Sequence, residues 1–484
     1  MTTVRSKQEL ELMAHLMRRA GFGATGDELS RYMELGYDAT VDELLNPAGA
    51  DVMPTDLIRR YLVDQSDLRN RTAGNAHWIY RMIKTQDPLQ EKMTLFWHRV
   101  FATGATKTIQ ARVVINQLDK FRELGMGSFK DILLAVSRDP AMLMWLDNQD
   151  NHLGSINENF GREILELFSM GVGNYTEKDI KECARAFTGW TVVNPEYMAI
   201  KMNNNTARPY GYISWQFDID DDDHDHGEKT FLGEVGDFNG DDIVDIICKQ
   251  PATARFIARH LYHYFVADEV PVPQWPYTPP KDQQAIDSMT EAYFASDYSI
   301  GAMLETIFRS DYFKSDDARL ARIKSPVEMV VGTLRMAGGI EMPSLETYAA
   351  GKVCAYMGQD LQNPPSVEGW MGGPDWINTG AYVQRINFAS KVLGDTSKPG
   401  VRRMIEQVKV AAGSAPLSAE RLVDLCIELT GPMPVMEGSR RSLIDYAAKW
   451  GDLSFDSAES SAAAEKNVVA MLQLVVTTQE YQLA

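Results

Sequence analysis

NENFGREILELFSMGVGNYTEKDIKECARAFTGWTV, residues Asn157 to Val192, reads as two helices joined by a glycine turn. Asn157 is placed to cap the first helix, its side-chain oxygen taking a free backbone N–H. Phe160, Ile164, Leu167 and Phe168 then fall on one helical face at i, i+4, i+7 and i+8. Glu158, Arg162 and Glu166 stack four apart along the opposite side, with Glu163 at the edge between the faces. Gly171 and Gly173 stop the helix, since glycine accepts the left-handed backbone of a C-terminal cap. Thr176 with Asp179 three residues on has the form of a capping box, Asp standing in for Glu or Gln. The second helix turns Ile180, Ala184 and Phe187 inward and ends before Gly189-Trp190.

The charged residues of this stretch have two readings. Glu158, Arg162, Glu163 and Glu166 form either a solvated, salt-bridged face or an acid/base set lining a cleft. A charge stripe on a helix is usually structural, each pair contributing only about 0.2–0.5 kcal/mol.

The same periodicity continues through the chain. Residues 7–20, 26–35 and 38–46 read as short helices, and Asp87-Pro88 opens a stronger one, proline being suited to the first helical position. Its buried face is Met93, Phe96, Trp97 and Val100, which leaves His98 near the opposite side. Further helices are expected at 111–124, 128–147, 251–267, 281–295, 299–309 and 326–338, and over most of 380–484 with a Ser/Ala-rich linker near 454–464. His260 and His263 lie one turn apart without an accompanying carboxylate, which reads as surface aromatics. The fold class expected is mostly α, a large multi-helix globular protein with a long Asp/Gly-rich loop and short strands inserted around 193–235. VPVPQWPYTPP, from Val270 to Pro280, must be extended. It separates an N-terminal helical region, 1–269, from a C-terminal one, 281–484, packed on the first or forming a single domain with it.

Composition excludes several functions. The 484 residues carry 48 basic and 67 acidic side chains, a net charge of −19, which argues against nucleic acid or an anionic membrane as partner. No stretch approaches the length of a membrane span. Cys183, Cys248, Cys354 and Cys426 form no C-x-x-C pair, as expected of buried free thiols in a reducing compartment. The first residues, MTTVRSKQELELMAHLMRRAGFG, hold no apolar signal core, so a cytoplasmic location is expected, or an exported one if the sequence has been trimmed.

Two places draw attention for chemistry. The run FDIDDDDHDHGEKTFLG, Phe217 to Gly233, combines carboxylates with His224, His226 and Lys229. Carboxylates suit Ca²⁺, Mg²⁺ or Mn²⁺, and imidazole adds Zn²⁺ or Fe²⁺. The bland alternative is an acidic, solvated loop. The next run, GDFNGDDIVDIICKQ, matches a calcium loop poorly, and an Asn239-Gly240 turn with Asp241 as helix cap accounts for the same residues. In NPPSVEGWMGGPDWINTG, Trp370 and Trp376 with Asn363, Glu368 and Asp375 line either a sugar or peptide pocket or the lid of a core.

Several segments together resemble the bacterial family catalogued as domain of unknown function 1800. They are the opening stretch, LMRRAGFGAT at Leu16–Thr25, MTLFWHRVFATG at Met93–Gly104, HDHGEKTFLG at His224–Gly233 and PATARFIARHLYHYFV at Pro251–Val266. KSPVEMVVGTLR at Lys324–Arg335 and the Met357–Ala389 segment extend the likeness over nearly the whole chain. The resemblance implies a mostly helical bacterial protein. It also implies a partner, since members are often encoded beside a family similar to the sulfatase and alkaline-phosphatase superfamily. Family members commonly carry a second histidine two residues after His98, where this chain has Val100, which weakens a two-histidine metal proposal for that helix. H-D-x-G-x-K-x-x-L-G also fits the family, favouring His224, Gly227 and Lys229 over the aspartate run.

Three functions stay open on these residues. The first is a metal-assisted hydrolytic enzyme in which residues from separate segments converge in one cleft. Glu158, Arg162, Glu163 and Lys229 are its catalytic candidates, and His98, His224 and His226 its ligands for Ca²⁺, Mg²⁺, Mn²⁺ or Zn²⁺. The second is a binding or assembly partner of the sulfatase-like protein. The third is a carbohydrate-binding scaffold. Trp97, Trp190, Trp370 and Trp376 are the candidate aromatic lining of a ligand pocket.

Overall fold

Helix-capping signals in the sequence mark most element boundaries in the computed structural model, which describes residues 4–47, 71–108, 111–194, 215–269 and 278–484. Thr176 accepts from the Asp179 N–H at 3.2 Å while Asp179 bonds back to the Thr176 N–H, and the helix Glu177–Ala186 follows. Ser325 with Glu328 does the same for Pro326–Ala337, and Thr25 with Glu28 for Gly26–Leu35. Pro88 opens the helix Pro88–Val100, and Pro251 opens Pro251–Phe265. Gly171 and Gly173 have φ of 76° and 90°, the left-handed backbone expected of the turn between the helices Asn159–Glu166 and Glu177–Ala186. The described residues hold 22 α-helices and two small two-stranded sheets, a mostly α architecture.

Some boundaries differ from the sequence reading, each for a local reason. Asn157 does not cap its helix directly. Its Oδ1 accepts from the Asn159 N–H at 3.0 Å, and Glu158 stands at the cap position. The 128–147 segment is two helices, Phe129–Ser137 and Pro140–Trp145, because Pro140 lacks the N–H a continuous helix would use. Asn239, not Asp241, caps Gly240–Cys248, its Oδ1 accepting from the N–H groups of Asp241 and Asp242. Asp241 and Asp245 are taken by Arg138 and Lys130 as salt bridges. The Ser/Ala stretch near 454–464 is mostly helix. Ser457 caps Ala458–Val475, and its alanines are the best helix formers.

The strands sit where the composition shifts. β1, Trp190–Val193, pairs antiparallel with β2, Gln216–Ile219, in the register Trp190↔Ile219. β3, Lys229–Phe231, and β4, Glu234–Gly236, form a hairpin closed by Leu232 (φ 47°) and Gly233 (φ 86°), the two left-handed residues a tight hairpin turn needs. Residues 195–214 of the expected insertion and 270–277 of the proline-rich linker lie outside the described residues.

Apolar side chains from Met13 to Tyr481 join in one core cluster. Both chain ends enter it, with Arg18 Nη1 donating to Pro432 O at 2.7 Å and Ile323 bridging to Leu483. The Pro88–Val100 helix runs through the interior and is buried on nearly every side. His98 is therefore buried as well, not turned outward as the one-sided reading of that helix expected. Two buried charge clusters anchor this helix. Glu91 accepts from Trp78 Nε1 at 2.9 Å, Arg81 Nε at 3.1 Å and Arg122 Nε at 2.7 Å. Lys92 pairs with Glu328, which Arg322 approaches at 3.5 Å. Burial pulls the Lys92 ammonium down to about 8, while Glu328 stays far below the usual carboxylate range because Lys92 and Arg322 outweigh its own burial.

Candidate functional site

The end of this central helix opens into a cleft of about 450 Å³, within the size range of small-molecule sites. Arg99 and Val100 form its floor, and the last turns of Pro251–Phe265 bring His260 and His263. Asp268, Glu269, Leu167 and the loop Pro365–Asp375 complete the walls. That loop presses its backbone onto Arg99. A Cβ at Gly369, whose φ is 87°, would lie 2.4 Å from Arg99 O, and one at Gly372 would lie 2.7 Å from Arg99 Nη2. Larger residues there would push the loop off the helix and close or reshape the cleft.

Arg99 Nη2 lies 3.1 Å from His263 Nε2, and no carboxylate forms an ion pair with Arg99 among the described residues. Burial, then Arg322, lowers its pKa. His263 Nδ1 accepts the Glu269 N–H at 3.0 Å. Burial, then Arg99, pushes the His260 ring down to about 3 and His263 well below its ordinary value. Both imidazoles are therefore neutral near pH 7, and His260 Nε2 has no hydrogen-bond partner among the described residues. The acidic wall is partly committed. Asp268 accepts the Ile323 N–H at 3.1 Å and Glu269 the Lys281 N–H at 3.1 Å.

Glu163 stands one turn before Leu167 on the Asn159–Glu166 side of the cleft. Burial raises its carboxyl to about 7, with Glu166 and then Glu368 adding like charge against the opposing effect of Arg162. A carboxyl raised toward neutrality is suited to general acid–base work.

The residues singled out from sequence fall into four places. Trp370 lines the cleft, and Glu163, on the helix leading to the lining residue Leu167, is close enough to feel the charge of Glu368. Glu158 and Arg162 lie on the outer face, where Arg162 makes paired bonds to Glu177 at 3.0 and 2.8 Å and lies 3.8 Å from Glu158. His98 is behind the cleft wall, its ring 5.2 Å from that of Trp370 and 5.7 Å from Trp78. Burial alone lowers His98 to about 3, and both its ring nitrogens lack partners among the described residues. His224, His226 and Lys229 gather at the β3–β4 hairpin and do not line the cleft. Among the described residues the group able to hold a metal ion is His224, His226 and Asp237, without His98.

The four tryptophans named as a candidate lining are nearly closed to solvent. Trp370 and Trp376 are each 4% exposed, so neither presents a free ring face for stacking. Trp370 lines the cleft, and both line a small inner extension of about 10 Å³ reaching Arg322 and Gln359. Trp97 donates to Gly125 O at 2.7 Å and stacks on Phe101, while Trp190 packs against Phe187. Sequence reasoning found Glu368 and Asp375 but missed Arg99, and read His260 and His263 as surface residues. The signal for the histidines was their one-turn spacing. Their acidic neighbours come from Asp268, Glu269 and the distant Pro365–Asp375 loop, which local inspection could not attach to them.

Residues 15–483 match the family model described as protein of unknown function (DUF1800), and the chain belongs to that family. Comparison with curated proteins and with solved structures found no match. Among the described residues, no helix is long and apolar enough to cross a membrane.

Proposed function

We propose that the Arg99–His260–His263 cleft is the working site of a hydrolase acting on a small polar substrate that carries an anionic group. The observation that carries this reading is the cleft itself, where Arg99 lies 3.1 Å from His263 Nε2 among His260, Asp268 and Glu368; Glu163, whose carboxyl is raised to about 7 by burial and then by Glu166, lies on the helix leading to the lining residue Leu167. In this role Glu163 takes a proton from water and returns it to the leaving group, a contribution of about 10²–10⁴-fold. Arg99, free of a carboxylate partner, holds the anionic group, and the neutral imidazoles orient the reacting atoms. The test is turnover of chromogenic carboxylate, phosphate and glycoside esters by purified protein. Wild type is expected to turn over one class, and Glu163→Gln to lower its kcat at least ~100-fold. Equal turnover by the two proteins contradicts the reading.

A second reading, assembly with a sulfatase-like protein, is favoured by one exposed apolar surface. Tyr356 is 71% exposed and Val383 51%. The Tyr356 hydroxyl reaches within 4.0 Å of where a Cβ at Gly380 would stand, one turn before Val383. Co-purification lost on Val383→Asp and kept on Glu163→Gln would support it; failure of the wild-type protein to co-purify would remove it. A cytoplasmic setting is in keeping with four buried, unpaired cysteines. Recovery of the protein outside the cytoplasm would contradict that placement.

A further inference from the structure

The β3–β4 hairpin carries an inference that does not depend on the cleft. His224 is 7% exposed. Its Nδ1 lies 2.9 Å from Thr188 O and 3.4 Å from Thr188 Oγ1. The Thr188 hydroxyl gives its own proton to Arg185 O at 2.7 Å, so both atoms facing Nδ1 are acceptors. Nδ1 therefore carries the ring proton. Nε2 is left as a lone pair with no protein partner among the described residues. A metal-ligating histidine is characteristically held this way, its second nitrogen donating to a carbonyl.

His226 and Asp237 supply the rest. One ligand atom from each of the three residues lies within 4.8 Å of the others. His226 makes no hydrogen bond among the described residues. Its Nε2 is 3.4 Å from Asp221 Oδ1, and its Nδ1 is 3.8 Å from Asp237 Oδ2. Lys229 is fully buried and fixes the neighbouring backbone. Its Nζ donates to Asp225 O, to Gly227 O at 3.0 Å and to Asp237 Oδ1 at 3.3 Å, which leaves Oδ2 turned to His226.

We propose that His224, His226 and Asp237 bind one divalent transition-metal ion of the zinc class. Two imidazoles with a carboxylate suit zinc, whereas calcium and magnesium take oxygen ligands. Tetrahedral zinc with bonds of about 2.0–2.1 Å holds its ligand atoms roughly 3.4 Å apart, so this trio, spread over up to 4.8 Å, must close by up to about 1.4 Å. The His226 and Asp237 side chains, 56% and 53% exposed, have room to do so, while His224 is the fixed member. Asp221 or water takes the fourth position. The ion ties the loop that precedes β3 to the residue that follows β4.

The test uses full-length protein stripped with chelator, dialysed, and titrated with Zn²⁺ against a chromophoric competitor. One equivalent is expected to bind, undisturbed by excess Ca²⁺. His226→Ala and Asp237→Asn, both at exposed side chains, are expected to weaken that equivalent at least tenfold while circular dichroism stays unchanged. Absence of a stoichiometric ion in wild type, displacement by Ca²⁺, or equal affinity in both variants would overturn the proposal.

Discussion

Two side chains define the chemistry at the scale of single residues. His98 is neutral, held edge-on between Trp78 and Trp370, with both ring nitrogens unpartnered among the described residues. Replacing an unsatisfied buried polar group by an apolar one of similar shape is neutral or stabilising. His98→Phe is accordingly expected to keep stability within about 1 kcal/mol of wild type, or above it, in denaturant unfolding. A loss of about 3 kcal/mol or more would contradict the reading of His98 as an unsatisfied packing residue. Glu163 acts in the opposite direction. Its folded value, about 7, lies above the ordinary 4.5. The protonated carboxyl therefore favours the fold fully below pH 4.5, and that contribution is lost as pH rises through 7. Glu163→Gln should remove this loss and gain roughly 1 kcal/mol over wild type at pH 8, the figure discounted for partial exposure. Unfolding curves at pH 4 and pH 8 check it, and an equal effect of the substitution at both would contradict it.

The elements repeat a simple logic: caps set the ends and close contacts set the angles. The Asn159–Glu166 helix meets Glu177–Ala186 at Gly161, where a Cβ would lie 2.9 Å from Ala184 N and 3.0 Å from Ile180 O. Backbone atoms cannot yield as a flexible side chain does. Gly161→Ala is expected to cost about 1–3 kcal/mol and to disturb Glu163, two positions away on the same short helix. A thermal shift measurement decides it, and an unchanged midpoint would contradict the packing. These helices were legible because Thr176, Ser325 and Pro88 act locally, through bonds to neighbouring backbone. The Pro88–Val100 helix was read less well. Periodicity assumes a wet side, and this helix has almost none, so His98 was assigned a face it does not have. The Ser/Ala run failed for another reason: its composition suggests a linker, while Ser457 and the alanines after it make a capped helix.

At the scale of the whole molecule, a single core links the first helix to the last residues. Arg19 donates to Ala318 O at 2.7 Å and Tyr37 to Phe308 O at 2.8 Å, so each half completes the other. Heat or denaturant is expected to unfold the chain in one cooperative transition, with tryptophan fluorescence and circular dichroism coinciding. Two separated transitions would show that the regions on either side of the linker fold independently. The cleft is a product of this same scale. Arg99, His263 and Glu368 line it from three distant segments, and Glu163, from a fourth, feels the charge of Glu368 only because the assembled core brings those two segments near one another. Sequence could name Glu163 and Glu368 individually, but not their proximity. Their proximity is the claim most open to direct measurement. Carboxyl-labelled glutamate NMR across pH, with Glu163→Gln identifying the resonance, is expected to place the Glu163 midpoint near 7. Glu368→Gln should move that midpoint down. A Glu163 midpoint at the ordinary 4.5, unmoved by Glu368→Gln, would contradict the account.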